Sequence, residues 1–152
     1  MRKSWFVPLL VLAVAGCGIR PSAVIRGAPA PSGPANGAGL YFLTDGQPVR
    51  VLRPLAEALS PAATIDLLAG GPDENEREQR YTTEVPPGTT VLDHVARPDG
   101  VTVTLSADVA GLSARAVDQI VCTARDSLSA GVRITLLGGG NERGPLSCPL
   151  PG

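Results

Sequence analysis

Chemistry in this 152-residue chain would have to come from its only histidine, a run of acids, a triple glycine or its three cysteines. His94 directly follows Asp93, and an acid near an imidazole is a pairing that general base catalysis uses. A hydrolase would add a serine brought to them by the fold. On a strand, however, neighbouring side chains point to opposite faces, so Asp93 and His94 would not meet. The chain also lacks a Gly-x-Ser-x-Gly elbow. His94 therefore reads as a surface or strand histidine, and no catalytic residue is expected. Asp73, Glu74, Glu76 and Glu78 carry oxygens that suit calcium, but without the ligand spacing and glycine of a calcium loop. Arg77 and Arg80 neutralise part of the run, which reads as a solvated helix face and not as a metal site. Gly138-Gly139-Gly140 has no Gly-Lys-Ser/Thr after it to hold a phosphate. It reads as a flexible exit to the tail, and no cofactor is expected.

Cys17 stands behind Met1-Arg2-Lys3, an apolar stretch from Trp5 to Leu12, and the small residues Ala13-Val14-Ala15-Gly16. A charged start, a short apolar run and small residues before a cut describe a secretory signal over residues 1–16. About eleven apolar residues interrupted by Pro8 fall well short of the ~20 that span a bilayer. Val14-Ala15-Gly16-Cys17 resembles the bacterial lipobox, which implies cleavage before Cys17 and a diacylglyceryl group on its sulfur. The freed amine is open to a further acyl chain, and two or more chains anchor stably where one binds marginally. The plainer alternative is an ordinary signal with a cysteine nearby by chance. The expectation is a protein held on the extracytoplasmic face of the cell membrane by the lipid on Cys17.

Cys122 and Cys148 are left as a pair in an exported, oxidising setting. Joined, they would close a loop of about 27 residues, worth roughly 3–4 kcal/mol if the gain is chain entropy. The alternative is two free thiols, one in a helix and one in a loose tail.

Charge narrows the partners. The chain has 13 basic and 14 acidic residues; without Arg2 and Lys3 the balance is 11 against 14. No basic surface stands out, so neither nucleic acid nor anionic lipid is an expected electrostatic partner. Beyond Trp5 and Phe6 the aromatics are Tyr41, Phe42 and Tyr81, so the core must come from Val, Leu, Ile and Ala.

Residues 17–39 are rich in Pro, Gly, Ala and Ser and read as a lipidated, disordered tether. A single small α+β domain is expected over residues 40–138, and a tail stapled by the disulfide over 139–152. Leu40 to Leu43 and Val49 to Leu52 are short strands around the turn signal Asp45-Gly46. Ser60-Pro61 opens a helix, with Ile65 and Leu68 inward and Gly70 as its left-handed stop. Asp73 to Arg80 forms a short charged helix, with Glu76 and Arg80 paired at i,i+4. Thr89 to Val95 and Val101 to Leu105 are strands joined through Pro98-Asp99-Gly100. After Ser113 comes the strongest helix, where Val117, Ile120, Val121, Ala124 and Leu128 form one apolar stripe. Gly131 ends it, and Val132, Ile134 and Leu136 alternate in a last strand before an irregular tail.

The order of several short segments resembles a GerMN domain, the module named for sporulation and spore-germination proteins and found in actinobacterial envelope lipoproteins. The segments are Tyr41-Phe42-Leu43, Pro48-Val49-Arg50-Val51, Leu67 to Pro72, Glu78, Thr82 to Thr89, Val101 to Ser106 and Gln119-Ile120-Val121. Thr104 stands where the family often has aspartate, and Val109 where phenylalanine is common. The resemblance implies a mixed sheet with helices packed on one face, like the ring-building domains of envelope assemblies. It further implies a non-enzymatic envelope module that associates with other proteins. The expected partner is an envelope protein or another GerMN-like domain, met through the sheet face or an edge strand. It brings no set of functional residues. The rival is a tethered small-ligand or cell-wall-glycan binding domain, which would need exposed rings for sugars to stack on.

Overall fold

The computed structural model describes residues 37–128 and 131–151; the expected signal peptide, Cys17 and residues 18–36 of the tether lie outside the described residues. Strand β1 (Gly37–Thr44) and strand β2 (Gln47–Pro54) form an antiparallel hairpin in which Thr44 faces Gln47. Between them Asp45 and Gly46 have φ of 50° and 74°. Two positive φ values give the turn whose twist matches paired strands, as Asp-Gly predicts. β1 begins at Gly37, ahead of the expected start at Leu40. At Gly39 the strand runs beneath the Asp126 carboxylate and the Arg50 guanidinium, which occupy the space that a Cβ would take.

Helix α1 (Pro61–Ala69) opens as its sequence predicts, with Ser60 Oγ accepting from the Ala63 N–H at 3.2 Å and Pro61 in the first position. Its stop differs by one residue. Gly70 stays right-handed at φ −66°, and Gly71 takes the left-handed φ of 80°. Helix α2 (Glu74–Glu78) is closed by a capping box. Asp73 accepts from the Glu76 N–H at 2.9 Å, and Glu76 accepts from the Asp73 N–H at 2.8 Å.

Strands β3 (Val91–Arg97), β4 (Gly100–Leu105), β5 (Ile134–Gly138) and β6 (Asn141–Leu146) form one sheet in that order. β4 and β5 run parallel and the other pairs antiparallel, so the sheet is mixed. Parallel neighbours need a long crossover, and helix α3 (Ala114–Leu128) supplies it after a 3-10 turn at Val109–Gly111.

β6 corrects the expectation of an irregular tail. Gly139 and Gly140 have φ of 62° and 79°, and Gly138 pairs with Asn141 across them. Gly-Gly here is a tight hairpin turn and not a flexible exit, because both positions need a left-handed backbone. The part without strand structure shrinks to the residues after Leu146.

α1 and α3 pack on each other and on β1, and they reach the sheet through β3 and β5. Val103, Leu105, Ile134 and Leu136 turn inward and join Val117, Ile120, Val121 and Ala124 of the α3 stripe in one core. The result is the α+β arrangement expected, with helices on one face of a mixed sheet. The β1–β2 hairpin is a second, two-stranded sheet that the sequence reading did not separate. Among the described residues no helix is long and apolar enough to cross a membrane.

Candidate interaction surface

α3 is buried on more than its apolar stripe, because Gln119, Cys122 and Thr123 are also fully enclosed. Gln119 and Thr123 lie one turn apart and face β1. The Tyr41 N–H donates to Thr123 Oγ1 at 3.1 Å, and Gln119 Nε2 donates to the Tyr41 carbonyl at 2.7 Å. Gln119 Oε1 in turn accepts from the Glu84 N–H at 2.9 Å. Further along β1, Leu43 and Thr82 exchange backbone hydrogen bonds at 2.8 and 2.9 Å. The outer edge of β1 is thus closed by side chains and a loop.

Cys122 faces away from that edge, toward the tail. The structure joins Cys122 to Cys148, with Cα atoms 4.8 Å apart. Arg125 holds the same tail, donating to the Leu150 carbonyl at 2.7 Å and to the Tyr41 hydroxyl at 3.0 Å. Beside it Arg50 of β2 donates to both oxygens of Asp126, each at 2.9 Å. Those bonds push the Arg50 pKa up, so this guanidinium stays charged. Tyr41, Arg50, Asp126 and Leu150 line an open recess whose charges are already matched to each other.

Asp73, Glu74 and Glu78 of the acidic run are exposed, as a solvated helix face requires, and Glu76 alone departs from it. Glu76 is only 6% exposed, and its carboxylate receives Arg53 Nε at 3.1 Å and Arg53 Nη2 on its other oxygen. Arg53 Nη2 also reaches the Gly71 carbonyl at 3.1 Å, and the guanidinium lies 5.6 Å from the centre of the Phe42 ring. The expected Glu76–Arg80 pair is therefore replaced. α2 ends at Glu78, and Arg80 has a left-handed φ of 65°, which breaks the helical spacing the pair required. Among the described residues no group of three His, Cys, Asp or Glu side chains is placed to hold a metal ion.

His94 is exposed on β3. Its ring borders a small crevice whose other walls include Pro61, Ile65, Val91, Val103 and Ala124, all apolar. Among the described residues no serine or carboxylate lines that crevice, and Asp93 faces Thr104 on the opposite side of the strand. Asp93 instead accepts from the His94 backbone N–H at 2.8 Å.

Among the described residues one face of the four-stranded sheet is left open. Thr102, Thr104, Thr135 and Leu137 alternate with the inward residues and are half-buried, with no described helix upon them. Leu92 and Val95 extend this surface and are 66% and 42% exposed. A bulge between Val91 and Asp93 turns Leu92 out beside Thr104 and Leu137. The sequence showed the alternation of β4; it did not show that only one side would be covered.

The model of a family described as "Sporulation and spore germination", Germane, matches residues 39–142. The chain belongs to the Germane family. The match begins inside β1 and runs through the Gly139-Gly140 turn into β6. Among solved structures the Germane domain is similar to the tandem GerMN domains of the sporulation protein GerM from Bacillus subtilis. The identity is 18% and the TM-score 0.52, over 68% of this chain and 39% of that one. The likeness is one of fold, and this chain spans well under half the length of that one. No curated protein matches the chain. Within the Germane domain Tyr41 and Phe42 are 2% and 0% exposed, and Tyr81 is half-buried. Among the described residues no Phe, Tyr or Trp ring is fully exposed.

Proposed function

We propose that this Germane protein is a lipid-anchored, extracytoplasmic envelope protein whose domain is a non-catalytic protein-interaction module. The observation that carries the reading is the sheet with one face in the core and one face open, bordered by Leu92 and Val95. Exposed apolar side chains grouped on a flat surface suit a protein partner, since burying them removes apolar area from water. The surroundings of His94 support the non-catalytic part, because its neighbours offer neither a nucleophile nor a proton relay. The Val14-Ala15-Gly16-Cys17 motif supports the anchor. Lipid attachment would hold the domain at the membrane and raise its local concentration toward other envelope components. The partner is an envelope protein or a like domain.

Chemical cross-linking in intact envelopes tests this. The protein is expected in adducts of discrete mass with another protein chain. Recovery of monomer alone, across cross-linkers of different reach, would contradict an interaction module.

A further inference from the structure

Among the described residues β3 is the edge strand of the four-stranded sheet, paired only with β4. The hairpin closes at Arg97 and Gly100, so Arg97, Val95 and Asp93 direct their backbone groups toward β4, and His94 and Ala96 direct theirs outward. His94 shows this directly, since its N–H is taken by the neighbouring Asp93 carboxylate at 2.8 Å and not by a strand. At the upper end the Val91 N–H is already used by Asp66 at 3.0 Å. Free strand length therefore runs from Asp93 to Arg97, and every side chain along it is exposed.

The side chains of this segment are self-complementary. Asp93, Val95 and Arg97 share the open face, acid, apolar and base in turn. An antiparallel copy of β3 centred on Val95 sets Val95 opposite itself and Asp93 opposite Arg97 twice. The same register pairs His94 with Ala96, the two residues whose backbone groups point outward, and gives four N–H to carbonyl bonds. Backbone and charge select one register. Shifting the centre to His94 would keep two of the four backbone bonds, set Ala96 against the bulged Leu92 and Asp93 against Val95.

We infer that β3 is a homodimer edge: two copies of this chain pair antiparallel through Asp93–Arg97 about a two-fold axis at Val95. This names the partner within the interaction-module reading and rests on it. On pairing, the Asp93 carboxylate gives up the His94 N–H to the partner's carbonyl and turns to the partner's arginine. Arg97 is held for this by Thr102, whose Oγ1 accepts from its Nε at 3.2 Å. The two four-stranded sheets become one continuous sheet, with both open faces on the same side.

The full-length chain carrying Val95→Cys, oxidised mildly in the envelope and run on a non-reducing gel, tests the pairing. Facing residues at such a position have Cα atoms about 4.5 Å apart, close enough for a disulfide. A band at twice the monomer mass is expected. Leu92→Cys, which would lie about 20 Å from its own copy in this register, should stay monomeric. Asp93→Arg or Arg97→Asp alone should weaken the detergent-solubilised dimer roughly tenfold, and the two together should restore it. Equal cross-linking at Leu92 and Val95, no cross-link at Val95, or no rescue by the double swap would overturn the dimer. A Val95 adduct with a chain of different mass would also overturn it, while leaving the interaction-module reading in place.

Discussion

Gln119 of α3 donates its side-chain amide to the Tyr41 carbonyl at 2.7 Å, across 78 residues of sequence. With Thr123 receiving the Tyr41 N–H, two helical side chains do for β1 what a neighbouring strand would do. A buried strand edge needs such partners, because an unpaired backbone group away from water costs free energy. This is why the β1–β2 hairpin sits against α3 as its own sheet.

Gln119→Ala is expected to destabilise the domain by about 1–3 kcal/mol for each of the two backbone groups it leaves unpaired. Denaturant titration of the variant against the parent gives the value. A loss below the range for one group would show that water satisfies Tyr41 and Glu84 equally well.

Cys148→Ser unties the tail from α3. The loss should be about 2–4 kcal/mol, the usual range for one disulfide. Thermal melting in oxidising buffer measures it, and adding reductant to the parent should remove most of the difference. Equal Tm values before reduction would refute the bridge.

Glu76→Ala takes from the Arg53 guanidinium, 14% exposed, its closest carboxylate and leaves it the exposed Asp73 at 3.9 Å. Breaking one side of a buried pair costs about 3–5 kcal/mol, more than exposed ion pairs are worth. Arg53→Met with Glu76→Leu should cost less than Glu76→Ala alone. The reverse order in chemical denaturation would mean that the pair adds net stability.

The Ser113 hydroxyl donates to Glu84 at 2.5 Å and Arg115 at 3.2 Å, and these bonds hold the Glu84 carboxyl below its ordinary 4.5. A depressed folded value means that the charged form is favoured by folding, so the unfolded chain binds the proton more readily. The contribution is full above 4.5 and is lost as pH falls through the lower folded value. Glu84→Gln should therefore narrow the stability gap to the parent as the medium is acidified. A gap that widened with acid would reverse the sign.

Much of the local structure was legible because its causes are local. Asp45-Gly46 made its turn, Ser60-Pro61 capped its helix, and the stripe from Val117 to Ala124 entered the core. What escaped depends on residues far away. Gly39 resembles a linker glycine until Asp126 arrives beside it. Glu76 has a plausible local partner in Arg80, but Arg53, 23 residues earlier, wins once α2 stops at Glu78. Gly139-Gly140 is a two-residue turn signal, but the segment after it, Asn141 to Leu146, is polar and carries Gly144-Pro145, so its sequence does not read as a strand. For the candidate surface the sequence offered the alternation of β4 and exposed charges on β3. It could not offer the strand order that makes β3 an edge.

Membrane fractionation of Cys17→Ser against the parent, with fatty-acid labelling, tests the anchored-module reading most directly. The parent should sediment with membranes and carry label, and the variant should lose both. A variant that stays in the membrane fraction, or a parent that takes up no lipid, would contradict it.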